Sequence, residues 1–255
     1  MSEPTGRVVL VGEPPLVDEL ARLCADAGLF AGVYRVEEAS AAGGLERMQR
    51  DAQHAEVAID AMSESLDAKR RIVTALEDAL PAQALLLASL LSATATHIGS
   101  WLREPGRLVG FAALPPLAKG GMVELAAGLR TESDGLDRAH RLFARLGVHA
   151  VAVHDSVGLV LPRIVCTLAN EAAAALAEGV ADAPGIDLAM KLGTNYPRGP
   201  LEWADLIGLD VVLSLLRGLH EETGEDRYRP APLLKQYVRA GWLGKKTGRG
   251  FHHYR

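Results

Sequence analysis

Gly12 ends a short apolar run, Arg7 to Gly12 (RVVLVG), and is followed by Glu13, Pro14, Pro15 and a helical pattern that starts near Val17. A turn of this kind, between a strand and a helix, holds phosphate when glycines let backbone N–H groups approach it at the positive end of the helix. Gly12 fills the first of the three glycine positions, but Pro14 stands at the second and Val17 at the third. Pro14 and Pro15 have no N–H to donate, and their rings take up room. Glu13 adds negative charge where an anion would otherwise be drawn. At the end of the next strand, where an acid would bind a ribose, the chain has Arg35, with Glu37 two residues on. Arg35 could favour a 2′-phosphate instead. The preferred reading is a turn without a ligand.

Other residues could also do chemistry. Asp60, Glu64 and Lys69 lie across a strand end and the start of the next helix. In the simplest reading, acids there face the positive helix end. Lys245, Lys246 and Arg249 form a local basic cluster, either a phosphate contact or a solvated tail. No His/Cys/Asp group has zinc spacing, and no metal site is expected. No Gly-x-Ser-x-Gly or Cys/His arrangement supports a hydrolase.

These residues need a scaffold. Arg7–Gly12, Val17–Ala27 and Phe30–Tyr34 read as strand, helix and strand, with Gly28 as the helix stop. Gly43–Gln53 is polar helix or loop. Ala55–Leu80 and Gln83–Leu102 each read as strand then helix, and Gly147–Ala181 as a last strand and a long helix. Ile164–Leu176 reads as a buried core helix. Beyond it come a helix, a Gly/Pro loop, a second helix entered through Gly199-Pro200 with an apolar face over Asp205–Leu219, a helix from about Pro232 to Ala240, and a glycine-rich tail. Trp203, Trp242 and Phe251 read as core or subunit contacts. The expected fold class is α/β: a doubly wound parallel sheet over residues 1–155, then an all-helical domain over 156–255.

Length and composition agree with this. The chain has 255 residues, 49% of them hydrophobic, enough for a large core. A net charge of −5 gives no global case for nucleic acid or membrane. Cys24 and Cys166 fall in apolar helical patterns, so a disulfide framework is not expected and the reducing cytoplasm is the default location. The N-terminus lacks signal-peptide order, and no apolar run reaches membrane-spanning length.

The stretch IDLAMKLGTNYPRGPLEWADLIGLD (Ile186 to Asp210) and the ending YVRAGWLGKKTGRGFHHY (Tyr237 to Tyr254) resemble the C-terminal domain of 3-hydroxyacyl-CoA dehydrogenases. The likeness extends over almost the whole chain. KLGTNYPRGPLEWAD and EDRYRPAPLL look most like the degenerate second half of long dehydrogenases of the phenylacetate-degradation type. The resemblance implies a Rossmann-like domain for NAD, a helical domain that pairs subunits, and an acyl-CoA substrate. Asp60, Glu64 and Lys69 fit a segment that contacts the nicotinamide end, with Gly12 the remnant of the phosphate turn. Ser89 fits the serine that bonds the substrate hydroxyl and the catalytic histidine, although the Asn-Thr pair following it is Leu90-Leu91 here. Glu124 fits the carboxylate that orients that histidine, but the histidine position is Ala112. The asparagine that contacts the substrate carbonyl is Pro162. Asp155, Gly158, Arg163, Asn170, Glu171 and Ala172 match the family pattern around it.

An alanine cannot accept the hydroxyl proton as hydride leaves. Loss at Pro14, Val17, Ala112 and Pro162 together points to a catalytically impaired member. Such a protein would act as a structural homodimer, as a partner of an active dehydrogenase subunit, or as an acyl-CoA binder. Retained Ser89, Glu124, Glu64 and Lys69 leave room for an active NAD(H)-dependent oxidoreductase with a substitute base, for which His97 and His154 are the nearest candidates. A non-redox CoA-thioester enzyme using Glu124 is the third reading.

Overall fold

The computed structural model describes residues 6–63 and 65–254. The chain divides into two compact units, Met1–Leu159 and Val160–Arg255.

In the first unit, short Val/Leu/Ile-rich runs form a seven-stranded sheet: β1 (Arg7–Gly12), β2 (Phe30–Arg35), β3 (Val57–Ala61), β4 (Leu85–Ser89), β5 (Leu108–Ala112), β6 (Met122–Ala127) and β7 (His149–Ala152). The spatial order is β2-β1-β3-β4-β5-β6-β7. Every pairing is parallel except the antiparallel β5–β6. The middle strands β4 and β5 are buried at every position, as unbroken apolar runs require. β2 and β7 are the edges, and both are partly exposed.

The helices of this unit are α1 (Leu16–Asp26), α2 (Val36–Ser40), α3 (Gly44–Ala52), α4 (Leu66–Ala79), α5 (Ala95–Gly99) and α6 (Gly135–Arg145). α1 stops where the sequence predicts, with Gly28 at φ +69°. The core is aliphatic around Leu10, Leu20, Ile59 and Leu87, with Phe111 and Phe143 in contact at 6.0 Å between ring centroids.

The second unit contains α7 (Leu161–Ala177), α8 (Ala183–Thr194), α9 (Pro200–Ile207), α10 (Leu209–Thr223) and α11 (Pro232–Arg239). Two expectations need correction here. α7 is not buried all round: it packs against α9, α10 and α11 on one face, while Ile164 on another is 50% exposed. The apolar stretch Asp205–Leu219 is not one helix. It breaks at Gly208, whose φ of +105° a side chain would strain.

Two buried carboxylates, Asp187 and Asp205, organise the C-terminal end of this unit. Asp187 on α8 accepts the N–H of Leu201 at 2.8 Å and of Glu202 at 2.9 Å, so it satisfies the first turn of α9. It also meets His252 Nε2 at 2.7 Å. Asp205 on α9 accepts from the N–H of Phe251 and His252 and from the Tyr254 hydroxyl. Gly199 and Gly250 lie so close to these carboxylates that a Cβ would collide with them. The glycines and acids of the tail motif are therefore two halves of the same contacts.

Candidate active site

In an open parallel sheet, ligands bind outside the C-terminal ends of the strands. At that edge Gly12 abuts β3: a Cβ there would lie 2.8 Å from the Ala61 carbonyl carbon. The glycine is thus required by strand packing, whatever else it does. Glu13 turns its carboxylate toward the end of β3 and accepts the Ser63 N–H at 2.9 Å. Pro15 is the N-cap of α1, and the Val17 N–H is bonded to the Glu13 carbonyl at 3.3 Å. Arg35 at the end of β2 pairs with Asp18 at 3.0 Å, and Glu37 is exposed on α2. The Glu13–Ser63 bond joins residues fifty positions apart and has no local sequence signal.

Lys69 is 1% exposed and Asp60 0% exposed, and they form an ion pair at 2.5 Å. Lys69 also donates to the Met62 carbonyl at 2.9 Å, while Asp60 Oδ1 accepts the Met62 N–H at 3.0 Å. Burial pushes the Asp60 carboxyl up and the Lys69 charge opposes it. The ammonium is therefore committed to the β3–α4 junction. Glu64, the third residue of this group, lies outside the described residues.

Ser89 ends β4 and is 1% exposed; Ser92 in the following turn is 6% exposed. Neither hydroxyl has a hydrogen-bond partner among the described residues. Leu90 and Leu91 between them are buried, and Leu90 covers Gly110 so closely that a Cβ there would collide with it. Ala112 and Glu124 are direct partners in the β5–β6 ladder, both buried. The sequence-derived pair is thus brought together, with a methyl group where an imidazole is expected. His97 and His154 are both exposed, and the His97 ring packs edge-on against Trp101 at 5.3 Å. Neither is buried in the way Ala112 and Glu124 are.

Asp155 accepts the N–H of Ala95 at 2.7 Å and of Thr96 at 2.8 Å, capping α5. In the helical unit, Pro162 is the second residue of α7 and is buried. Asn170 clamps a loop, donating to Arg229 O at 3.0 Å and accepting from Ala231 N at 2.8 Å. Arg163 donates to the Tyr228 hydroxyl. Of the basic tail cluster, Lys246 pairs with Asp210 and Arg249 lies over the Trp242 ring at 3.3 Å, while Lys245 is exposed. No group of three metal-ligating side chains occurs among the described residues, and no described helix is long and apolar enough to cross a membrane.

Comparison with known proteins gives the family of both units. The family model for the 3-hydroxyacyl-CoA dehydrogenase NAD binding domain matches residues 10–156, and that for the 3-hydroxyacyl-CoA dehydrogenase C-terminal domain matches residues 158–254. The chain belongs to the 3-hydroxyacyl-CoA dehydrogenase family. A probable 3-hydroxybutyryl-CoA dehydrogenase of Bacillus subtilis is 34% identical, over 97% of this chain and 97% of its own length. Among solved structures, M. tuberculosis FadB2 superposes with a TM-score of 0.84 at 26% identity, covering 98% of this chain and 99% of that one. An (S)-3-hydroxybutyryl-CoA dehydrogenase from Ralstonia eutropha gives 0.79 at 29% identity, with the same coverage of 98% and 99%.

Proposed function

We propose that this chain is a 3-hydroxyacyl-CoA dehydrogenase family member with impaired hydride-transfer chemistry, retained as an acyl-CoA-binding or structural protein. The observation that carries this reading is Ala112 opposite Glu124. General-base catalysis needs a group that takes up a proton within hydrogen-bond reach. A methyl group takes up none, and the exposed His97 and His154 offer no buried substitute.

The family implies NAD(H), but the residues at the β1–α1 turn do not fit it. Gly12 is packed on Ala61, Pro14 and Pro15 offer no N–H, and Glu13 brings its own carboxylate to the Ser63 amide. No reaction step is therefore assigned to this cofactor. Ser89 and Ser92 support thioester binding: a buried hydroxyl without a partner costs roughly 1–3 kcal/mol, which an acceptor such as a thioester carbonyl would recover. A homodimer, or pairing with an active dehydrogenase subunit in the cytoplasm, completes the reading.

The test is NADH- or NADPH-linked reduction of acetoacetyl-CoA by the purified chain, with calorimetry of each compound separately. No turnover, no dinucleotide binding and measurable binding of acetoacetyl-CoA is the expected result. Sustained turnover would overturn the proposal and favour an active enzyme with a substitute base. Thioester binding accompanied by chemistry without NADH would favour a non-redox enzyme using Glu124.

A further inference from the structure

Two adjoining cavities open at the opposite edge of the sheet, where β3 and β4 begin. One holds about 460 Å³ and is walled by His54, Glu56, Val57, Leu85, Arg138 and Arg141. The other holds about 380 Å³, is walled by Glu104, Arg107 and Glu132, and shares Gln83 and Arg138 with the first. Both volumes lie in the range of small-molecule sites.

The cations here are not explained by the fold alone. Helix C-termini gather at this edge of a parallel sheet, so basic residues could simply neutralise them. For α4, however, that role is filled. Arg107 is 8% exposed and donates to Glu77 O at 2.7 Å and Pro81 O at 2.8 Å, at the end of that helix. Arg138 donates to the Gln83 carbonyl. Arg141 has no side-chain partner among the described residues, and neither has the His54 ring. The buried Arg107 Nε–H, in the wall of the second cavity, is also without a partner among the described residues. This concavity presents the Arg141 guanidinium, the His54 ring and the Arg107 Nε–H beside an apolar wall, with Glu56, Glu104 and Glu132 also on its lining.

We propose that the double cavity binds a nucleoside phosphate. Arg141 and His54 meet the phosphate, and Val57 and Leu85 lie under the apolar body of the ligand. Glu104 and Glu132 accept from its hydroxyl and amino groups, and the Arg107 Nε–H donates to a ring acceptor. Inorganic phosphate would use only the first cavity. A fatty acyl chain would leave both glutamates facing apolar surface. The proposal shares no residue with the β1–α1 turn or with Ala112 and Glu124, so it stands apart from the function proposed above.

Calorimetry and ligand-observed NMR with 5′-AMP, adenosine and inorganic phosphate test it on the full chain. AMP should bind more tightly than either fragment. Arg141→Glu changes an exposed side chain and leaves the core intact, which circular dichroism verifies. It should weaken AMP by roughly tenfold or more, the scale of one charge-assisted contact. Failure of AMP to bind at millimolar concentration overturns the proposal. So does equal binding of inorganic phosphate, or an affinity for AMP that Arg141→Glu leaves unchanged.

Discussion

Ala112 on β5 lies directly across the antiparallel ladder from Glu124 on β6, and both are buried. In the family arrangement this register would hold an imidazole against a carboxylate. Ala112→His tests whether the room for the ring survives. Ala112 is 2% exposed beside a filled core, so the larger side chain should lower stability by about 1–3 kcal/mol. Urea denaturation reads the effect. A variant as stable as the parent would mean that room for the imidazole persists opposite Glu124 and that the filled core does not exclude it.

Gly12→Ala separates packing from ligand binding. The added Cβ would press on the Ala61 backbone at 2.8 Å, where no flexible side chain can yield. The expected outcome is a loss of about 1–3 kcal/mol in the absence of any nucleotide. A melting temperature equal to that of the parent would show that β1 and β3 do not depend on this glycine.

The sequence made part of the sheet legible because β1 and β4 are continuous apolar runs bounded by turns, and α1 because Gly28 marks its end. Ala112 and Glu124 are reached through the resemblance to the family pattern, and the β5–β6 ladder sets them opposite each other. What the sequence could not give were contacts set by the tertiary fold. Glu13 reaching Ser63, Glu19 on α1 holding the Leu117 N–H at 2.9 Å, and Arg107 ending α4 all join distant residues. The break at Gly208 was missed for a different reason: the apolar face continues through it, and only the positive φ interrupts the helix.

Asp205 makes the helical unit sensitive to pH. Burial pushes its carboxyl above 3.8, against the three hydrogen bonds from the tail that favour the charged form. The folded chain then binds a proton at a pH where the unfolded chain has released it. This contribution to stability is therefore largest below 3.8 and falls as pH rises through the folded-state value. Asp205→Asn should remove that slope. It should also cost about 1–3 kcal/mol at neutral pH, because the amide cannot accept all three donors of the tail. Denaturation curves at several pH values check both effects. A slope that survives the substitution would assign it to another group.

Lys69 and Asp60 allow a sharper test, because the pair is closed off from water at 2.5 Å and neither side chain forms another ion pair among the described residues. Removing one partner leaves the other buried, and such a break costs about 3–5 kcal/mol. Lys69→Met and Asp60→Leu should each show a loss of that size in urea. The double variant should lose less than either single change, because no uncompensated charge remains and apolar groups replace the desolvated ions. A double variant whose loss equals the sum of the two would mean that the residues act independently. In that case Lys69 would be free of Asp60 in solution, and its ammonium would again be available as the cofactor contact that the family resemblance implies.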